Sequence, residues 1–309
     1  MNYSTEIELT GLIGSSPIGA MAAFGLLRIC TEIEPLAQAK LGWRQSDDWH
    51  AVLYLPTEME KERLVDLLTQ YLIKQTSDVF AWSDDVRVLP DTYKEILKNG
   101  VDNANLTVRK YCDYLAAFAS EMARDNTAKG LAKPTFFYMT SGQQSFLGSA
   151  VELVEAYRKE RPEKITEALF GPWLYQDKQH ALGWDPAAER VYALRHKKPG
   201  EEAPTSVSAA IRLALEALPL FPVFPDKTGR LHTSGFIRTK SRENVFEWPL
   251  WQAPISLDSL KTLLTSNLDK EHKSELAKRG VNALFRSIRS EFGQGYGIFR
   301  PAQLVWQKF

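Results

Sequence analysis

The stretch from Gly14 to Leu27, GSSPIGAMAAFGLL, constrains this chain's fold more than any other. Ser15 or Ser16 offers a capping oxygen, and Pro17 suits the first helical position, where its missing N–H costs nothing. The pattern predicts a helix from about Pro17 to Glu32, stopped by Pro35. Gly19, Ala20, Ala22, Ala23 and Gly25 leave little side-chain bulk along it. Another backbone must therefore come close, and the helix is expected deep in the core.

Elsewhere the hydrophobic periods are mixed. Tyr3 to Leu9 and Trp49 to Leu55 suit strands, with Gly11 to Ser16 as a turn. Amphipathic patterns predict helices over Thr57 to Lys74, Leu106 to Met122, Ser145 to Lys159, Ile165 to Phe170, Val207 to Leu218, Leu257 to Leu264 and Lys273 to Phe292. Thr135 to Met139, the pair Leu182 to Asp185 and Glu189 to Leu194, Phe236-Ile237 and Val245 to Leu250 suit short strands, and Tyr296 to Trp306 an extended end. Irregular mixing predicts an α+β fold, helix-rich with short antiparallel strands, and not a Rossmann or P-loop fold. The loop His196 to Ser206 suggests an N-terminal region, 1–200, with a helical segment at about 57–130. A C-terminal region, 201–309, would follow, or the two would form one continuous domain.

The chemistry expected is that of binding. The 38 basic and 38 acidic residues cancel, which excludes a protein that coats nucleic acid by bulk attraction. Against that average, Lys227, Arg230, Arg238, Lys240 and Arg242 form a run of five cations uninterrupted by a carboxylate. Thr228-Gly229 and Ser234-Gly235 mark turns within it. The run lies between aromatic flanks, Phe221 to Pro225 and Phe246 to Trp251. Such a segment is expected to be an exposed basic loop that grips phosphates. Arg279, Asn282, Arg286 and Arg289 would share a face of the last predicted helix, leading into a glycine loop, Gly293 to Gly297, that carries Tyr296 and is followed by Arg300. Tyr296, Phe236 or Trp248 would stack on bases. Ser141, Gln143 and Gln144 form a polar turn suited to a phosphate or base edge, or simply to a helix cap. Arg190, Arg195, His196, Lys197 and Lys198 form a second cationic cluster, more ordinary as a solvated loop.

Other chemistries lack a motif. Ala20 and Met21 stand where a phosphate loop needs Lys and Ser/Thr. The five histidines show no metal-ligand spacing, and Asp47-Asp48 and Asp84-Asp85 are ordinary turn doublets. No catalytic residue, metal site or cofactor is expected. Cys30 and Cys112 are expected as reduced, buried thiols, as in a cytoplasmic protein. The polar, acidic start predicts no signal peptide, and no apolar run is long enough to span a bilayer.

Five segments together resemble a family encoded with type I-G (formerly I-U) CRISPR loci. They are Gly11 to Ile29, Leu41 to Arg44, Ser141 to Leu147, Leu182 to Leu194 and Leu220 to Leu260. The resemblance implies a large-subunit-like, non-nuclease component of a crRNA-guided interference complex. Its partners would be crRNA or target DNA and other effector subunits, with no membrane. It would bind target duplex near the protospacer-adjacent motif, or support the guide-bound complex and the helicase-nuclease. The residues alone leave two alternatives open: an enzyme acting on a nucleotide or phosphorylated small molecule, and an adaptor whose patches meet acidic proteins.

Overall fold

A computed structural model describes residues 3–104, 109–139, 145–188, 205–266, 268, 273–292 and 296–308. The fold is α+β, and every strand ladder among the described residues is antiparallel.

Strand β1 (Thr5–Ile13) buries Ile7 and Leu9 and turns Glu6 and Glu8 outward, where both hold Arg44. It pairs with β3 (Trp49–Leu55), which pairs in turn with β2 (Lys40–Gln45). Gly11 to Ile13, expected as a turn, belong to β1, because Gly14 N still bonds Trp49 O at 2.7 Å. Helix α1 (Pro17–Cys30) is buried along its entire length and ends two residues before the expected Glu32. A Cβ on Gly19 would strike the Ile13 carbonyl, and one on Gly25 the Leu213 carbonyl. The close approach demanded by the small residues is thus made by β1 and by helix α7 (Ser208–Leu215). Phe24, Trp43 and Trp251 meet beside α1 with ring centroids 6.0–6.3 Å apart.

The middle of the chain carries α2 (Lys61–Ile73), α3 (Pro90–Asp102), α4 (Lys110–Phe118), α5 (Phe146–Ala156) and α6 (Pro162–Phe170). The helix expected over Leu106 to Met122 stops at Phe118. There the Ala119 N–H donates to the Tyr93 hydroxyl, 3.2 Å away. The chain continues as β4 (Ala119–Arg124), which forms a hairpin with β5 (Ala132–Pro134). Phe136 and Phe137, expected in a strand, lie in a turn, and so do Leu182 and Gly183. The expected partner strand, Glu189 to Leu194, lies outside the described residues.

A buried ionic cluster ties α1, α4 and α7 together. Glu216, 1% exposed, holds Arg28 at 2.7 Å, Arg212 at 2.8 Å and Lys110 at 3.3 Å. Those cations outweigh the burial that would otherwise raise its carboxyl, and hold it well below the usual range.

The C-terminal third is a sheet of β8 (Phe236–Arg238), β9 (Asn244–Trp251), β10 (Val281–Phe292), β11 (Tyr296–Phe299) and β12 (Gln303–Gln307). The expected helix from Lys273 to Phe292 is thereby corrected. A short helix, Lys273–Lys278, ends at Gly280, whose φ of 82° breaks it, and β10 follows. Leu284, Ile288 and Phe292 are spaced by four, which satisfies a period of 2 as well as 3.6. The apolar core is continuous from Ile7 to Phe299 and includes residues from both sides of position 200.

Candidate nucleic-acid interface

The basic run is not one loop but two hairpins. The first joins β6 (Val223–Pro225) to β7 (Leu231–Thr233), and the second joins β8 to β9. Asp226 builds the first tip. Its Oδ1 accepts from Thr228 N, Thr228 Oγ1 and Arg230 N, and Gly229 supplies a φ of 76°. Thr239 builds the second: its N–H donates to Glu243 O, its Oγ1 accepts from Glu243 N, and Arg242 adopts a φ of 68°.

The β4–β5 hairpin repeats the first design. Asp125 Oδ1 accepts from Thr127 N, Thr127 Oγ1 and Leu131 N, and Gly130 has a φ of 56°. The two Asp-x-Thr tips stand beside each other, with Gly229 facing the Met122 carbonyl. Among them and β8 lies an 810 Å³ groove. Arg124, Lys133, Arg230, Arg238 and Arg242 line it, together with Met122, Phe136, His232 and Phe236; Asp125 and Glu291 are its acidic residues.

Charge pairing distinguishes this groove. Among the described residues none of its five cations lies within 4 Å of a carboxylate, whereas Arg28, Arg44, Arg87, Arg212, Arg286 and Arg289 each hold one. Burial, and then the nearby Arg289 guanidinium, push the Lys133 ammonium below its ordinary value; Asp125 only partly opposes them. Arg289 lies behind the groove, bonded to Glu291 and donating to Tyr138 O at 2.9 Å. Burial pushes it down to about 10, so it remains charged at neutral pH. Concave walls with an excess of one sign focus field on whatever enters.

The expected site residues divide. Arg230, Arg238 and Arg242 line the groove, while Lys227 and Lys240 project from the hairpin tips outside it. Arg286 and Arg289 do not share a face, because three residues along a strand reverse direction. Arg286 sits opposite Glu247, Nε to Oε2 2.6 Å, on the face away from the groove. Arg300 follows β11 and donates from Nε to Ser290 Oγ. Tyr296 opens β11, its backbone paired with Phe292. Trp248 cannot stack on a base: it is fully buried, and its Nε1 donates to Gly14 O at 2.8 Å. Phe236 is half-buried at the groove. Ser141, Gln143 and Gln144, and the cluster from Arg190 to Lys198, lie outside the described residues.

The sequence reading missed Arg124, Lys133, Met122, Phe136 and His232. The signal that could have found the first hairpin is the shared Asp-x-Thr pattern with a following glycine, at Asp125 and again at Asp226. Three of the four carboxylates in the acidic doublets are occupied by protein donors. Asp48 accepts from Ser15, Asp47 meets His50, and Asp85 holds Arg87 and the Tyr138 hydroxyl. Among the described residues no group of three His, Cys, Asp or Glu is placed to hold a metal ion. Cys30 is buried, and Cys112, expected buried, is half-exposed. No described helix is long and apolar enough to cross a membrane.

No family model and no curated protein matches this chain.

Proposed function

We propose that this protein is a non-catalytic subunit of a crRNA-guided type I antiviral interference complex in the cytoplasm, and that it holds nucleic-acid backbone in the three-hairpin groove. The observation carrying the binding half is the set of five unpaired cations around one concavity. Such a set is costly without an anion and suited to a run of phosphates. The complex is supplied by the resemblance of Gly11 to Ile29 and Leu220 to Leu260 to the type I-G family. Base pairing by the guide would read sequence, and this subunit would position backbone. The zero net charge of the chain agrees with a part that leaves most phosphate contacts to other subunits.

Co-expression with the proteins encoded beside it is the test. The reading predicts that the chain elutes with a protected guide RNA and is shed from it at high salt. Elution alone contradicts the reading. So does elution with protein partners that survives both nuclease and high salt, which would make the chain an adaptor.

A further inference from the structure

Phosphates account for the rim of the groove but not for its floor. Between the cations lie half-buried Phe136 and Phe236, their rings in edge contact with centroids 5.4 Å apart. Met122, 69% exposed, and Ile237 extend this apolar surface. His232 stands on the same wall, its ring stacked on exposed Phe224 at 5.5 Å. A duplex offers phosphates on a convex rod and keeps its base faces inside the stack. It would satisfy the arginines and leave the apolar floor uncovered. An unpaired strand offers both groups at once: phosphates outward to the rim, and a base face to the floor.

We infer that the groove takes single-stranded polynucleotide, with one or two bases seated on Phe136, Phe236 and Met122 and the flanking phosphates on Arg124, Arg230, Arg238 and Arg242. Charge complementarity and the cavity's size commit the site to this occupant. An 810 Å³ groove suits a short segment of strand. The five cations outnumber its two carboxylates, which favours a polyanion, and a single strand pairs each phosphate with a flat base that the aromatic floor can take. This inference rests on the nucleic-acid reading above and narrows it; recognition here is of an unpaired base rather than a helix surface. RNA and DNA share that chemistry, so the test carries both.

Fluorescence anisotropy with a labelled oligothymidylate, the matching oligouridylate and a duplex of equal length separates the cases. At least one single strand is expected to bind roughly tenfold tighter than duplex, about the free energy of one stacked base. Photo-crosslinking with 5-iodouracil, which favours stacked aromatic rings, is expected to label peptides holding Phe136, His232 or Phe236. Met122→Ala, at an exposed position, and Phe136→Ala should weaken single-strand binding several-fold more than duplex binding. Should Phe136→Ala fail to fold, the crosslink on the unaltered chain still decides. Duplex bound as tightly as single strand, or crosslinks confined to other peptides, overturns this inference while leaving backbone binding intact. Failure of every probe overturns both.

Discussion

Glu216 is the residue on which the helical half depends. Its carboxylate is the shared partner of Arg28, Arg212 and Lys110, and both guanidinium groups are buried with it. Glu216→Gln keeps the shape and leaves the cations uncompensated. The expected loss is about 3–5 kcal/mol, measured by urea denaturation at neutral pH. Its folded pKa lies below the unfolded value of about 4.3, so its contribution is complete above that pH and fades as pH falls toward the folded value. The variant should therefore show a flatter fall of stability with acid below about pH 4 than the native chain. An equally steep fall in both would deny Glu216 this role. The thiols give a second check. Burial pushes Cys30 up to about 12, whereas Cys112 is half-exposed. Ellman's reagent should titrate one thiol in the folded protein and both after unfolding.

The elements show why part of the molecule was legible in sequence and part was not. Helix α1 announced itself because Pro17, Gly19 and Gly25 each answer a local demand: a first turn, a strand carbonyl and a crossing helix. Gly25→Ala should cost about 1–3 kcal/mol, read as a lowered denaturation midpoint, because the new methyl meets backbone that cannot give. Strand β10 is hard to read because apolar residues four apart fit either period, and only the break at Gly280 and the pairing with β9 tell them apart. The end of α4 was hidden for another reason. The hydroxyl that takes the Ala119 N–H belongs to Tyr93, 26 residues earlier in sequence. In the groove, the cations in and beside β8 and the two hairpin turns, Arg230, Arg238 and Arg242, were visible as a run. Arg124 and Lys133 were not, because tertiary contact alone brings the β4–β5 hairpin beside them. Asp226→Ala removes the acceptor of three bonds at one tip, and the partner of His232, while leaving the cations in place. Affinity for polynucleotide should fall, yet its slope against salt should persist. A changed slope would mean that Asp226 acts through charge rather than by holding the turn.

At the scale of the whole molecule, 38 positive and 38 negative residues sum to nothing, and function lies in how they are distributed. Most described arginines of the core and sheets are committed to carboxylates, and those of the groove are held free by three hairpin tips built from Asp125, Asp226 and Thr239. These free cations are there to meet phosphates. The most direct test is the dependence of polynucleotide affinity on salt, compared between the native chain and the triple variant R230A/R238A/R242A. Each lost phosphate contact removes about 0.7 from the slope of log K against log salt on a single strand, so the variant's slope should be shallower by about 2. A variant that folds, binds more weakly and keeps the native slope would contradict the account.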